Sequence, residues 1–277
     1  MSPLVLLAAL VPFLLARVQD DAPPDRFGPP EEFIPRLATA AAQLDHAREL
    51  KGQRDVPLPA QRLALTERAI EAYRSVRRYH PEAAAIGAEA AFRAGRLLAP
   101  LGRVEEALAE LRFAVRLGQG TEFRARAGLE TGRLQRLSGR IEPALDAFLA
   151  VAADDSGARV HRDEAWLRAG DVWSELGETE RAWRAWSLVA GDAEDPVDRV
   201  AAFDRLGSSL VEDDDLEGAA GILNRCLRSL APDALQETER GARVRRALRN
   251  MRLVASLPLS VARRNAARAA ETSPRKP

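Results

Sequence analysis

Residues 166–189 read WLRAGDVWSELGETERAWRAWSLV, and three other stretches of the chain repeat their pattern. The matching stretches are AFRAGRLLAPLGRVEEALAELRFAV at 91–115, GLETGRLQRLSGRIEPALDAFLAV at 128–151 and FDRLGSSLVEDDDLEGAAGILNRC at 203–226. Each copy has a glycine at the same place within a helical pattern, and these are Gly95, Gly132, Gly170 and Gly207, 37 or 38 residues apart. Repetition at a period of about 20 to 50 residues is typical of stacked repeat architectures.

The shared positions of the copies have physical reasons. A glycine inside a helix costs about 1 kcal/mol relative to alanine, so its recurrence predicts a close approach of two helices. Twelve residues later each copy has an alanine, which we expect opposite the glycine: Ala107, Ala144, Ala182 and Ala219. Seven residues after the helix glycine comes a residue suited to a left-handed C-cap, where the chain reverses: Gly102, Gly139, Gly177 and Asp214. Apolar residues at i, i+4 and i+7 then mark the second helix.

The pattern resembles the tetratricopeptide repeat (TPR) family, with four copies between residues 88 and 231. Copy three matches the family signature W-x2-L-G-x2-Y…A-x3-F best, through Trp166, Ala169, Gly170, Trp173, Ala182 and Trp186. The resemblance implies an all-α, right-handed superhelical solenoid of antiparallel helix pairs, whose function is to bind a protein or peptide. The copies are longer than the usual repeat of about 34 residues, and the closing proline is displaced or missing.

The composition and the flanking sequence agree with an all-α fold. Hydrophobic residues make up 46% of the 277 residues but aromatic residues only 5%, and short alternating strand patterns are missing. Residues 31–81 are predicted to be a degenerate repeat with helices at 31–51 and 59–80. Residues 232–257 are predicted to form one capping helix with the apolar stripe Val244, Leu248, Met251 and Ala255. Residues 258–277 form a basic tail that we expect to be disordered.

The N-terminus predicts export. Residues 4–16 read LVLLAALVPFLLA, an apolar run too short for a membrane span of about 20 residues but suited to a signal peptide, residues 1–16. Residues 17–30, rich in proline and aspartate, are predicted to be a flexible linker. The expected location is therefore periplasmic or secreted in a bacterium. An uncleaved N-terminal membrane anchor and a cytoplasmic location remain alternatives.

Signals for catalysis, cofactors or metals are missing from the sequence. The single cysteine, Cys226, lies at a core position of the repeat, and the three histidines are far apart. No nucleotide-binding, nucleophile-elbow or zinc motif occurs, and the spacing of Asp213, Asp214 and Asp215 does not match a calcium loop. We therefore expect a scaffold or adaptor without enzymatic activity, small-molecule cofactor or metal. An enzyme built on a helical-repeat frame is the less favoured alternative.

The resemblance implies a ligand-binding groove on the first helix of each pair. The expected groove residues are those after the helix glycines, those one turn earlier and two further arginines: Arg96, Arg133, Asp171 and Ser208; Phe92, Leu129, Leu167 and Asp204; Arg126 and Arg136. The arginines form a basic half, and Asp171, Glu175, Asp204 and Glu212 form an acidic half. The hypothesis is that the groove binds an extended or helical segment with one acidic and one basic end. The alternative is that these charges pair with Glu89, Glu130 and Glu164.

Two further features allow more than one interpretation. Trp166, Trp173 and Trp186 occupy packing positions of the repeat, so core filling is favoured over a ligand cage. From Arg240 to the end the chain has 11 basic residues and one acidic residue, leaving 30 basic and 40 acidic residues before it. This end is either the solvated face of a cap or a surface for anions. The alternative function is a cytoplasmic regulator whose basic end binds nucleic acid or an anionic surface.

Overall fold

The computed structural model describes residues 34–53, 58–230, 236, 238–258, 261 and 264. All regular structure in these residues is helical. The helices are α1 (Ala40–Gly52), α2 (Pro59–Tyr79), α3 (Ala84–Leu98), α4 (Val104–Leu117), α5 (Glu122–Leu137), α6 (Ile141–Ala152), α7 (Arg159–Glu175), α8 (Thr179–Asp192), α9 (Pro196–Glu212), α10 (Leu216–Ser229), α11 (Glu239–Arg249) and α12 (Arg252–Ser256). The expected signal peptide and linker lie outside the described residues, as does nearly all of the basic tail.

The helices stack in chain order as antiparallel pairs. From α1 to α10 each helix packs against the next one along the chain. The first helices of successive pairs also meet, because α1 contacts α3, α3 contacts α5, α5 contacts α7 and α7 contacts α9. The architecture is therefore an all-α solenoid of five helix pairs in the described part of the chain, and the predicted fold class is confirmed.

The helix glycines mark close contacts, although at Gly132 and Gly170 the partner is not the alanine that the sequence suggested. A Cβ added to Gly132 would lie 2.5 Å from Phe148, and one added to Gly170 would lie 2.4 Å from Trp186. These large residues come sixteen positions after each glycine, one helical turn beyond the expected alanine. A buried aromatic ring fills the space that the missing side chain leaves, and the alanines Ala144 and Ala182 are fully buried beside it.

The turn within each of the last four helix pairs has the predicted left-handed residue. Gly102, Gly139 and Gly177 have φ values of 75°, 73° and 76°, and Asp214 has a φ of 60° at the corresponding place. Glycine has no Cβ to clash in this conformation, and aspartate is one of the few other residues that tolerate it. Each turn lets the second helix fold back on the first.

The first pair differs from the sequence prediction in its start. Helix α1 begins at Ala40 rather than Glu31, because residues 34–37 have no regular secondary structure; of these, Ile34 packs in the core of the first helices. Gln43 is fully buried, and its amide binds both the backbone oxygen of Pro35 and the backbone nitrogen of Leu37, each at 2.9 Å. Thr39 caps α1 by accepting from the backbone N–H of Ala42 at 3.1 Å.

The C-terminal cap consists of two helices, not the single one predicted. The chain breaks after α11, and the short α12 packs against α9. The break turns Leu253 into the core, where it is fully buried and fills the space over Gly207. The buried residues of the cap are therefore Val244, Met251, Leu253 and Leu257, while Ala255 of the predicted stripe is exposed.

Candidate binding groove

One cavity of about 220 Å³ lies on the face formed by the first helices. Half of the predicted groove residues line it: Phe92 and Arg96 from α3, with Arg126, Leu129 and Arg133 from α5. Glu130, Phe148, His161, Glu164 and Arg168 complete the lining. Because α3, α5 and α7 are neighbours, residues about 37 positions apart in the sequence meet at one place. We call this space the groove cavity.

At one wall of the groove cavity the Phe92 ring lies beside two guanidinium groups, and the Phe123 ring packs behind it. The guanidinium of Arg126 lies 4.8 Å from the ring centre of Phe92 and 5.5 Å from that of Phe123. Arg96 approaches the Phe92 ring from its own helix at 5.7 Å. A cation within about 6 Å of a ring face is attracted to it. These contacts hold the arginines beside the cavity without neutralising their charge.

The groove cavity has an excess of positive charge. Its lining includes four arginines and two glutamates. Arg133 pairs with Glu130 at 2.5 Å and Arg168 with Glu164 at 3.4 Å. The alternative that charges on this face pair with each other therefore applies to these two arginines. Arg96 is exposed and makes no ion pair within the described residues. Arg126 has only a 3.4 Å contact with Glu122, which is itself largely exposed.

Three of the four carboxylates of the expected acidic half contact neighbouring residues, and the fourth, Glu212, is exposed at the end of α9. Asp171 pairs with Arg205 of α9, and Arg136 pairs with Glu175. Asp204 accepts a hydrogen bond of 2.8 Å from the backbone N–H of Leu253 at the start of α12. Each of these three carboxylates contacts a residue of another helix in the stack. Contacts between helices cannot be predicted from the spacing of residues along one helix.

The other predicted groove residues are also outside the groove cavity. Leu167 is buried in the core with only 3% of its surface exposed. Ser208 lies on α9 beside the glycine that Leu253 covers, and its hydroxyl is buried without a hydrogen-bond partner in the described structure. The cap therefore closes the groove over the last helix pair. The open part runs from α3 to α7.

Three groove residues on α7 escaped the sequence prediction. His161, Glu164 and Arg168 line the groove cavity, whereas the prediction began only at Leu167. A signal was present, because positions 161, 164, 168 and 171 follow the spacing of one helical face. The expectation placed groove residues near the helix glycine and so missed the two turns before it.

An acidic site does occur nearby, at the start of α9. Burial and the carboxylates of Asp195, Glu164 and Asp163 raise the pKa of Asp198 to about 6, while Arg168 acts in the opposite direction. Asp198 therefore faces α7 at a position next to the groove cavity, through Glu164. Of these carboxylates, Glu164 lines the groove cavity.

The single cysteine is shielded from solvent by the core. Cys226 is fully buried, and burial raises the pKa of its thiol to about 12, so little thiolate forms at neutral pH. In the part of the chain described, histidine, cysteine and acidic side chains form no group suited to hold a metal ion. Over the same residues, no helix has the length and apolar character that crossing a bilayer requires.

Part of the basic end is structural. Arg243 pairs with Asp195 at 2.8 Å, and Arg240 donates to the backbone oxygen of Glu194 at 3.0 Å. These contacts fasten α11 to the start of α9. Arg246, Arg249 and Arg252 are exposed on the cap. Of the arginines in the predicted tail, only Arg264 lies within the described residues.

The fold and the groove define a helical-repeat solenoid with a basic, aromatic-walled cavity on its first helices. No protein-family profile and no curated protein matches the chain. Among solved structures, two of MamA are similar, with 19% and 18% identity, TM-scores of 0.47 and 0.49, and coverage of 61% and 72% of this chain and 90% and 97% of theirs. A kinesin light chain from Podosopora anserina with nearly identical TPR-like repeats has 14% identity and a TM-score of 0.48, covering 72% of this chain and 97% of that one. At these values the similarities establish no function.

Proposed function

We propose that this protein is an exported scaffold that binds a protein partner through a short acidic segment held in the groove cavity. The observation that carries the proposal is the exposed guanidinium of Arg96 beside Arg126 and the Phe92 ring, at a cavity large enough for a side chain. Arginine binds carboxylate and phosphate in a forked geometry, and an aromatic wall suits an apolar neighbour.

The character of the partner follows from the shape of the site. The groove cavity is open and shallow, and its polar groups come from three helices. Such a site suits an extended or helical segment of a partner protein, with an acidic side chain between the arginines of α3 and α5. A basic residue of the same segment would lie toward Glu164 and Asp198. The ligand therefore still has one acidic and one basic end, as in the sequence hypothesis. The groove residues that would contact its basic end are now Glu164 and Asp198.

Charge reversal tests the proposal. In the Arg96→Glu/Arg133→Glu variant, we expect capture of the native partner, and binding of acidic phenylalanine-containing peptides, to weaken at least about 10-fold, because each reversal replaces attraction by repulsion. The matched control is Arg112→Glu/Arg228→Glu, which changes two exposed arginines outside the groove cavity. Quantitative pull-down and fluorescence anisotropy at two salt concentrations measure the effect. Equal loss in both variants, or no loss in either, would contradict the proposal.

Export has its own test. The proposal includes removal of residues 1–16, because the apolar run is followed at once by a polar, proline-rich stretch. Cell fractionation and N-terminal sequencing of the native protein should find it outside the cytoplasm, beginning near Arg17. Recovery of the full-length chain from the cytoplasm would show that the location is wrong and would leave the groove proposal standing.

A further inference from the structure

A second cavity, of about 420 Å³, lies on the other side of α7. Its lining residues are Trp166, Trp173, Arg181, Arg184, Ala185 and Leu188, which we call the tryptophan furrow. A turn of 100° per residue places Trp166 about 200° around α7 from Glu164 of the groove cavity. A smaller cavity of about 250 Å³ continues the furrow and shares Trp166 and Leu188 with it. The furrow is therefore a separate surface from the groove cavity.

The floor of the tryptophan furrow is aromatic and partly exposed. The rings of Trp166 and Trp173 stack with their centres 6.3 Å apart and their planes 28° from parallel. The repeat pattern predicts that all three tryptophans, Trp166, Trp173 and Trp186, fill the core. Trp186 is buried, whereas Trp166 and Trp173 pack against the core and remain partly accessible. Leu188 stands at the edge of the furrow with 50% of its surface exposed. Contiguous exposed apolar surface of this kind marks an interaction site.

The rim of the tryptophan furrow is basic. Arg181 and Arg184 have side chains that are 63% and 80% exposed. Their ion pairs with Glu178 and Glu180 are at the surface and contribute little free energy. These guanidinium groups can therefore turn to an acidic ligand at small cost. The furrow combines a flat aromatic floor with cationic edges.

Aromatic-lined grooves of this kind suit proline-rich segments. Proline fixes φ near −65°, so such a segment loses little backbone freedom on binding, and its rings pack on indole faces. The cationic rim adds a preference for acidic residues beside the prolines. This chain has such a segment, DDAPPDRFGPPEE at residues 20–32, with two proline pairs, five acidic residues and one arginine. Its formal charge is therefore −4.

We propose that the tryptophan furrow binds residues 20–32 of a second copy of this chain. The segment joins the stack at Ile34, which packs in the core of α1, α2 and α3. Helices pack about 8–10 Å apart, so α1 and α7 are separated by about 24–30 Å along the stack. Pro30 is four residues from Ile34 and reaches about 14 Å at most. The second proline pair therefore cannot reach the furrow of its own copy.

The proposed contact joins different surfaces of two copies. Each chain offers one segment at its first helix pair and one tryptophan furrow at its fourth. A contact of this heterologous kind leaves a free segment and a free furrow at the ends, so it propagates head to tail. The assembly should grow with protein concentration and should shrink as salt screens the arginines from the acidic segment.

Sedimentation velocity of the full chain over a range of concentrations tests the self-association. We expect the Leu188→Asp/Arg184→Glu variant to associate at least about 10-fold more weakly than the unaltered chain. Both altered residues are exposed, so the fold is retained, which circular dichroism checks. The matched control is Leu137→Asp/Arg112→Glu, two exposed positions away from the furrow, and it should associate as the unaltered chain does.

A peptide of residues 20–32 identifies the occupant. All four tryptophans of the chain lie between residues 166 and 186 and none in the peptide, so intrinsic fluorescence reports binding at the furrow. The receptor is the full chain with Pro23, Pro24, Pro29 and Pro30 replaced by alanine. We expect saturable binding that Leu188→Asp weakens at least about 10-fold and Arg96→Glu leaves unchanged.

Three outcomes would overturn the proposal. The peptide fails to bind, it binds in a manner sensitive to Arg96→Glu but not to Leu188→Asp, or the full chain stays monomeric with its own segment seated on the furrow. The second outcome would place the segment in the groove cavity instead. The first and third outcomes leave the groove proposal untouched, and the second would support acidic binding in the groove while overturning the furrow; the charge reversals at Arg96 and Arg133 test the groove separately.

Discussion

Single glycines decide how closely the paired helices approach. Gly170 leaves room for the indole of Trp186, whose nitrogen would lie 2.4 Å from an added Cβ. Trp186 is buried and cannot move without shifting α8. The glycine therefore costs helix propensity but allows a contact that buries a large aromatic side chain.

We expect Gly170→Ala to destabilise the protein by about 1–3 kcal/mol, because an added methyl group overpacks a filled core. The control is Gly221→Ala, which adds the same group in α10 where nothing lies within 4 Å. That change should stabilise by about 0.5–1 kcal/mol through helix propensity alone. Urea unfolding of both variants measures the difference. If Gly170→Ala stabilised the protein, the close approach of α7 and α8 would not explain the glycine at this position.

The positions of these glycines and of the turn residues could be predicted from the sequence, because both depend on the conformation of the local backbone. The sequence pattern misplaced the partners of Gly132 and Gly170 by one turn, since the alanine and the aromatic residue lie on the same helical face and only packing decides which fills the gap. It also placed Asp204 in the groove. The hydrogen bond from Leu253 crosses 49 positions in the chain and depends on a break in the cap that the sequence pattern did not reveal.

Between elements, ion pairs link second helices that the apolar pattern leaves apart. Glu110 of α4 is 4% exposed and lies 2.9 Å from the Arg74 side chain and 2.7 Å from the Arg77 side chain of α2. The contact with Arg77 is an ion pair without the alignment of a hydrogen bond. The repeat pattern did not predict this network. Arginines on the helix face that meets the next pair nevertheless help to fix how the two pairs pack.

A second contact between elements depends on pH. Burial, the carboxylate of the N-cap residue Asp195 and those of Glu164 and Asp163 of α7 raise the pKa of Asp198 to about 6, while Arg168 acts in the opposite direction. The folded state therefore binds a proton more tightly than the unfolded state, whose carboxyl has a pKa near about 3.9. The stability that this proton contributes is present below about pH 4 and is lost as the pH rises through 6.

We therefore expect Asp198→Asn to stabilise the protein at pH 7.5 by about 1–2 kcal/mol, a value reduced from the full shift because the residue is only partly buried. The gain should disappear near pH 4, where the aspartate is already neutral. Urea unfolding of both proteins across this range measures it. A gain of the same size at both pH values would mean that the amide makes a new contact and that carboxylate repulsion is not the cause.

For the whole molecule, most contacts of the described helices join elements that are adjacent in the stack, so the elements at its ends matter for stability. The fold class and the five pairs were predictable, since an apolar face repeated at a fixed period can be buried only by stacking. The open stretch of the groove was predictable only in part. The C-terminal cap closes the groove over α9. Because the cap lies outside the repeats, the repeat pattern does not predict its position.

The cap provides the test of this view. Leu253 is fully buried, covers Gly207 and follows a backbone break that Asp204 stabilises. We expect Leu253→Ala to cost about 2–5 kcal/mol, as for other buried leucines. In a stack in which each helix pair is coupled to its neighbours, the loss of stability should be largest near the cap and smallest at the far end. Hydrogen exchange should rise most in α9 and α10 and least in α1 to α4.

The control for this experiment is a truncation of a similarly buried leucine in an internal pair. Leu111→Ala in α4 removes the same atoms from a fully buried site that contacts Gly95. Its effect should centre on α3 and α4 and spread to both sides. Uniform acceleration of exchange in both variants would instead mean that the solenoid unfolds as one cooperative unit, because coupling between pairs then exceeds the stability of any single pair.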